Sequence, residues 1–487
     1  MTETVKRSHL IEAILLCLIL ALALFMALYP RLDYPLPLHV DEWMHLGHTQ
    51  QIVDTGSLSY PDPWQGGREI VEGHPETGYY TWLSTLQIST GMPWLMLARL
   101  MPAIVLGIIT FAAYAWGRKW GFGLEAALFT TFIHTTIRFL GPAFLVPVTL
   151  GLVFFPICLM LLEKLKRDWI PVPLIILSLA SLFLIHGTTA VALGLLLGIS
   201  LILYLILSRG QGRRLPATIC LLALPVSALA IFLWNPSLVK EYIQAIISTE
   251  HLPMDPIPYP FPELGYMMVT LAAVGFGFMI AKGGWRNYTL VIFTSILLLF
   301  VLLYRHWFDI GPEILYERGW LYVMLPMALM AGYGLSRLYH LGLGFFKRRN
   351  WRLPLIYLLL VVVVAFALFQ RVSGYSKESY YHIIDGPTYY DFVWAGEELP
   401  QSSNALLIPD TAWAFVPITG KYVFTARAAP WGIEEVIMIT KFFRSGARNT
   451  SLLVAMDVDL LYSPFPLNNP DLVEVRDKLY ILREEGG

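Results

Sequence analysis

A series of long apolar runs, about eleven of them, limits what this chain can fold into before any other feature is weighed, because a bilayer-spanning helix needs roughly 20 mostly apolar residues. They lie near 9–29, 93–116, 121–138, 143–162, 170–186, 189–208, 215–234, 264–281, 288–304, 319–340 and 354–370. The charge content agrees. Only 14% of the 487 residues are charged and mean hydropathy is +0.60, against about 25% charged residues in a soluble domain. The expected fold class is a polytopic α-helical membrane protein of about 11 transmembrane helices with a small α/β domain at its C-terminal end. The first run follows Lys6 and Arg7 and continues into Tyr29-Pro30-Arg31 without a small-residue cleavage site, so it reads as an uncleaved span. Cys17, Cys158 and Cys220 all sit inside apolar runs, which predicts neither a disulfide nor a structural zinc. No long basic tract points to nucleic acid.

Every second loop is basic. With the N-terminus in the cytoplasm, the inner groups are Lys6 and Arg7; Arg118 and Lys119; Lys164, Lys166 and Arg167; Arg209, Arg213 and Arg214; Lys282 and Arg286; and Lys347, Arg348, Arg349 and Arg352. The positive-inside rule then makes the chain N-in and C-out. Three outer segments follow. The first loop covers about 31–92. A Pro-rich segment, about 235–263, cannot form a regular helix and reads as a mobile lid. The third is the tail, giving a membrane domain of 1–370 and an extracytoplasmic domain of 371–487. In the tail, Ala405–Ile408, Tyr422–Thr425, Val458–Tyr462 and Lys478–Leu482 read as strands and Glu434–Ser445 as a helix. Asn449-Thr450-Ser451 is a glycosylation sequon.

Ionisable groups crowd the first loop. His39-Val40-Asp41-Glu42-Trp43-Met44-His45 follows the first span directly, and such a cluster beside a bilayer is a functional-site candidate. A helix is expected from Glu42 through about Asp54, ending at Gly56, with Asp41 as its N-cap. The bland reading of the motif is that cap, with His45 and His48 as surface polars. The functional reading uses the same geometry: an acid at the bilayer surface can accept a proton from an attacking hydroxyl or hold a divalent metal on a phosphate. Asp41, His45 and His48 have zinc-ligand spacing, but no fourth ligand follows by pattern.

His74-Pro75-Glu76-Thr77-Gly78-Tyr79-Tyr80 closes the loop, with Pro75 expected at the first position of a helix. Arg99, Arg138, His186, Arg305, His306, Glu317 and Arg318 all fall near the outer ends of the spans. Each alone reads as an interfacial anchor. Together they put cationic and protonatable groups level with the first-loop acids, and arginine's fork of donors suits phosphate oxygens.

The chain resembles the GT-C superfamily of membrane glycosyltransferases, which includes protein O-mannosyltransferases, aminoarabinose transferases of lipid A and oligosaccharyltransferase catalytic subunits. His39-Val40-Asp41-Glu42 looks like the acidic first-loop motif of that superfamily, and His74-Pro75 through Tyr80 like its His-Pro-Pro-Leu-Tyr-Tyr segment, with Glu76-Thr77 in place of the second proline and leucine. Ala98-Arg99-Leu100-Met101-Pro102 and Glu317-Arg318-Gly319-Trp320 look like its later Arg-Leu-Pro and Glu-Arg segments. Thr135-Thr136-Ile137-Arg138 holds no second acid and the tail has no Trp-Trp-Asp, so the likeness is nearer to the monosaccharide-transferring members.

The resemblance implies an inverting transfer of a sugar from a polyprenyl-phosphate carrier (dolichyl or undecaprenyl type) to a protein, lipid or glycan acceptor outside the cytoplasm. It makes Asp41 and Glu42 catalytic. It gives substrate binding to His39, His45, His74, Glu76, Arg99, Arg138, His186, Arg305, His306, Glu317 and Arg318. It leaves metal use open: a divalent cation, magnesium or manganese, would fall to Asp41 and Glu42. Two rival functions are a transporter or flippase for a lipid-linked glycan and a non-catalytic subunit of the same fold. Against the first, no internal repeat is evident and polar residues crowd the span ends rather than the midplane.

Overall fold

The computed structural model describes residues 3–135, 139–165, 168–208, 214–234, 236, 240, 264–306, 313–345, 365, 382–400, 403–424 and 433–483. The Pro-rich segment beyond residue 240, the run at 354–370 and the expected domain boundary near 370 lie outside these residues, apart from the single position 365. The described chain forms two compact units. One holds Met1–Asp33 with Ala98–Glu378, the other Tyr34–Leu97 with Ser379–Gly487.

The first unit is helical. Six helices among the described residues are long and apolar enough to cross a membrane: His9–Arg31, Trp94–Arg118, Pro147–Lys164, Gly187–Leu207, Trp285–Leu303 and Arg318–Leu341. Three shorter apolar helices are Pro171–Ile185, Arg214–Val226 and Tyr266–Lys282. The chain is an integral membrane protein. Within this unit Arg318–Leu341 is central, with 89% of its most apolar stretch buried, whereas the first span is peripheral at 17%. The first helix (α1, Glu3–Leu28) turns Leu10, Ile14 and Leu18 outward and packs Ala23 and Ala27 on Ala103 and Leu106. Outward apolar side chains are what a lipid-facing helix requires.

Close helix approach here depends on small residues. A Cβ on Gly275 would lie 1.9 Å from the Met330 carbonyl oxygen, and one on Gly334 would lie 2.4 Å from that of Leu271. The helices Tyr266–Lys282 and Glu313–Phe345 therefore touch backbone to backbone, the small-residue packing typical of membrane bundles.

The stretch 121–138 does not make the full helix expected of it. Its helix (α5, Gly123–Thr130) stops after 8 residues. Thr130 and Thr131 turn their hydroxyls back onto the carbonyls of Ala126 and Leu128, which competes with helix propagation. The chain then runs as buried irregular backbone through Phe139–Val146, where Thr135 Oγ1 accepts from the Ala143 N–H and Thr149 Oγ1 donates to Gly141 O.

The second unit is α/β. Strands β1 (Tyr60–Pro61) and β2 (Ile70–Val71) form a small antiparallel pair in the first loop. The tail carries β3 (Ala405–Leu407), β4 (Val423–Phe424), β5 (Leu460–Tyr462), β6 (Leu472–Arg476) and β7 (Leu479–Leu482), in the order β4-β3-β5-β7-β6. β3 is parallel to β4 and β5, while β7 is antiparallel to β5 and β6. The core under the sheet is Leu406, Phe442, Phe443, Leu453 and Leu461. The expected strands near 405, 422, 458 and 478 and the helix near 434 all form. β6 and the helices Gly386–Glu398, Pro409–Thr419 and Thr450–Ala455 add to them.

The first loop belongs to this sheet. The Val423 N–H donates to Pro63 O at 2.8 Å, the Gly66 N–H donates to Val423 O at 3.0 Å, and Gln65 bridges Phe424. These bonds cover the β4 edge, which would otherwise present unpaired backbone groups.

Candidate functional site

The acidic motif opens the helix α2 (Val40–Thr55). The expected N-cap is corrected here: His39, not Asp41, takes that position, in extended backbone, and its Nδ1 accepts the Asp41 N–H at 3.1 Å. The helix starts early enough that Asp41 and Glu42 both fall in its first turn, where the helix dipole favours anionic side chains. Gly56 closes α2 in the left-handed conformation, as expected.

The two acids are not equivalent. Glu42 is fully buried, and its Oε2 accepts the N–H of buried Leu38 at 2.7 Å. The Asp41 side chain is 28% exposed, with Oδ1 3.6 Å from His39 Nδ1. One carboxylate therefore fixes the chain entering α2, and the other is presented at the surface of the unit.

The second segment opens α3 (Thr77–Thr90). Pro75 is not at its first position: Glu76 is the N-cap residue, and His74 Nδ1 accepts the Glu76 N–H at 3.1 Å. Two first-loop helices thus begin with a histidine accepting the N–H two residues on. The faces of α2 and α3 meet through His45, whose Nδ1 is 3.6 Å from Glu76 Oε2 and 3.3 Å from the Tyr80 hydroxyl. Tyr80 donates to Glu76 Oε2 at 3.4 Å. His48 Nδ1 pairs with the Tyr60 hydroxyl at 2.9 Å and lies against the rings of Trp64, His74 and Tyr80.

Burial sets the charge state of this cluster. Burial pushes the His48 imidazole well below its ordinary range, and the nearby His74 adds to the effect. Burial likewise takes His74 down to about 4. Tyr79 and Tyr80 are held well above the phenol range, by burial first and then by the charge of Glu42 and Glu76 on Tyr79 and of Glu76 on Tyr80. At neutral pH His48 and His74 are neutral, and Tyr79 and Tyr80 keep their phenolic protons.

In the helical unit, His186 caps the helix Gly187–Leu207 by accepting the Thr189 N–H at 3.3 Å. The Tyr322 hydroxyl lies 2.7 Å from Thr189 Oγ1, 3.2 Å from Thr188 Oγ1 and 3.4 Å from His186 Nδ1. Arg318, one turn before Tyr322, lies within electrostatic range of His186. His186 and Arg318 are thus near one another at the start of their helices. Arg99 is exposed on α4 (Trp94–Arg118), with no hydrogen bond or ion pair to a described residue. Arg138 and the side chains of Arg305, His306 and Glu317 lie outside the described residues.

Sequence reasoning missed the roles of Tyr60, Trp64, Tyr80 and Tyr322. Tyr80 stood inside the quoted His74–Tyr80 segment. The other three carry no local signal, since their partners are distant in sequence. Among the described residues no group of three His, Cys, Asp or Glu side chains is placed to hold a metal ion, and Glu42 is committed to a backbone N–H.

A family model described as a family of unknown function (DUF6541) matches residues 3–250. No curated protein sequence matches the chain. Several solved structures share its fold. The oligosaccharyltransferase of Archaeoglobus fulgidus, tethered to an acceptor peptide, superposes with a TM-score of 0.61 at 11% identity, over 92% of this chain and 68% of that one. ArnT from Cupriavidus metallidurans bound to undecaprenyl phosphate gives 0.58 at 14% identity, over 96% and 97%. The arabinofuranosyltransferase AftD from Mycobacteria gives 0.58 at 17% identity, over 95% of this chain and 39% of that one. The fold is that of the GT-C glycosyltransferases.

Proposed function

The chain belongs to the DUF6541 family, and from that premise we propose that it is a glycosyltransferase moving a sugar from a polyprenyl-phosphate donor to an acceptor outside the cytoplasm. The observation that carries this reading is the division of labour in the first-loop acids. Glu42 is buried on the Leu38 N–H, while Asp41 keeps a partly exposed carboxylate in the first turn of α2. An accessible acid held by a rigid helix start is what a general base needs.

In the proposed reaction the acceptor hydroxyl attacks the anomeric carbon and Asp41 takes its proton. The bond from that carbon to the phosphate oxygen breaks, the polyprenyl phosphate departs, and the anomeric configuration inverts. Arg318, beside His186 and Tyr322, is the group assigned to the leaving phosphate, with Arg99, Arg138 and Arg305 as further candidates. Arginine stabilises negative charge that grows as a phosphate leaves. His45, Glu76 and Tyr80 hold α3 to α2 and so fix the approach to Asp41. No step is assigned to a metal.

Two facts support the donor class. A structure of the same fold holds undecaprenyl phosphate, and a lipid carrier explains why the enzyme is built from membrane helices. The positive-inside pattern, with the first loop and the tail packed in one compact unit and so on one side of the membrane, supports a cytoplasmic N-terminus and an outer first loop and tail, with an even number of crossings between them. About 11 spans, with the boundary of the tail domain near 371, satisfy that parity.

The test is transfer or release of sugar by the purified protein in lipid, supplied with a panel of radiolabelled polyprenyl-phosphate sugars. Turnover of one donor is expected. Donor binding with no turnover, even with crude acceptor fractions from the native membrane, would instead favour a transport or scaffold role.

A further inference from the structure

A second charged cluster lies in the helical unit, among residues that the proposed reaction does not use. The tight turn after α4 carries Lys119 and Trp120, and around Trp120 gather residues from three other helices. Lys282 Nζ, at the end of Tyr266–Lys282, is 6.0 Å from the centre of the Trp120 ring and 5.7 Å from that of Tyr333. Arg286, in the first turn of Trp285–His306, stacks on the same indole at 4.0 Å. Arg337 lies 4.9 Å from the Tyr333 ring. Ser336 Oγ donates to Gly121 O at 3.3 Å and so pins the turn to the central helix.

Positive charge exceeds negative charge here. Glu163 is already engaged: its Oε1 accepts from Trp120 Nε1 at 2.9 Å and its Oε2 is 3.9 Å from Lys119 Nζ. Among the described residues, Lys282, Arg286 and Arg337 form no ion pair, with Glu125 of α5 or any other acid. Arg286 Nε is buried with no hydrogen-bond partner. Three cations are thus drawn together by two aromatic faces; Glu163 also acts on Arg286, yet among the described residues Arg286 Nε stays without a hydrogen-bond partner.

Apolar surface adjoins the charges. Ile280 is 45% exposed two residues before Lys282, and Leu338, next to Arg337, is 41% exposed. A ligand suited to both features has a phosphate at one end and hydrocarbon at the other. Basic pockets between spans on the positively charged membrane face bind anionic lipid head groups. Trp120, Lys282 and Arg286 come from loops or helix ends that the sequence pattern counts as basic.

We propose that Lys282, Arg286 and Arg337, arrayed over the rings of Trp120 and Tyr333, hold the phosphate of an anionic phospholipid, with its acyl chains against Ile280 and Leu338. The site is distinct from the donor site of the proposed reaction and does not depend on that reading. It ties three helices together at one end of the bundle, so occupancy stabilises the helical unit.

The experiment is thermal melting of the full chain in phosphatidylcholine bicelles titrated with phosphatidylglycerol, with inorganic phosphate as a separate arm. Lys282→Gln and Arg337→Gln are the variants, because both side chains reach the surface. Phosphatidylglycerol is expected to raise the melting temperature of the wild type. Each variant is expected to shift the titration midpoint by about fivefold, as for loss of one cation near an anionic lipid. The readout is the difference between the two lipids, which stays defined even if a variant melts lower in phosphatidylcholine alone. Unchanged midpoints in both variants would overturn the proposal. Equal stabilisation by inorganic phosphate would overturn it too, by showing a soluble-anion site.

Discussion

Asp41 and Glu42 are adjacent in sequence and differ in every property that decides a role. Glu42 accepts a hydrogen bond from a buried N–H, so Glu42→Ala leaves Leu38 N without a partner and is expected to cost about 1–3 kcal/mol of stability. That loss would appear as a lower melting temperature. Asp41 bears on chemistry: Asp41→Asn keeps shape and size, and the melting temperature is expected to stay within a degree or two of wild type. The acidic pair was legible from sequence because ionisable groups beside an apolar span stand out. The assignment of the cap was not, since Asp is the commoner N-cap and only the start of the helix at Val40 gives that position to His39.

At the scale of elements, α2 is held by what packs over it. A Cβ on Gly47 would fall 2.6 Å from the Trp64 ring, and Trp64 in turn contacts Trp413 of the helix Pro409–Thr419, with ring centres 4.9 Å apart. Gly47→Ala is expected to destabilise this unit by about 1–3 kcal/mol through overpacking, read as a shift in its melting transition.

The neutral histidines make the same unit acid-sensitive. His74 binds its proton at about 4 when folded, against 6.5 when free. The unfolded chain therefore holds more protons between those values. This contribution is complete above about 6.5 and is lost as the pH drops towards 4, and His48, also held low by burial, adds to the loss. Melting temperature against pH should slope through that window, and His74→Gln should flatten part of the slope. The strands β3, β4, β5 and β7 could be read from short apolar runs bounded by turn residues. β6, with its alternating Leu-Val-Glu-Val-Arg, is a sheet edge buried on one face only, which weakens the apolar signal. The 121–138 run misled because apolar content was counted and the hydroxyls of Thr130 and Thr131 were not.

For the whole molecule, the pairing of the first loop with a tail more than 300 residues away is what no periodicity could reveal. The apolar runs and basic loops told of a membrane bundle, since each is a local property. Joining Pro63 to Val423 is a contact between distant segments, visible only in three dimensions. The orientation it supports is open to direct test. Leu58 and Tyr390 are 50% and 68% exposed, and Leu58→Cys and Tyr390→Cys should both react with a membrane-impermeant maleimide added outside intact cells. Reaction of one and not the other would contradict the shared side. At the helix contacts, Gly275→Leu is expected to prevent assembly of the bundle, since no side chain fits 1.9 Å from the Met330 carbonyl oxygen; loss of the folded protein on gel filtration would show it.

The most direct measurement is sugar transfer by wild type and Asp41→Asn side by side in one lipid, on whichever polyprenyl-phosphate sugar the wild type turns over, with donor binding measured on both. Loss of the carboxylate base is expected to lower turnover by about 100-fold or more with donor affinity unchanged. Equal turnover in the two proteins would contradict the assignment of Asp41 and, with it, the chemistry proposed for the first loop.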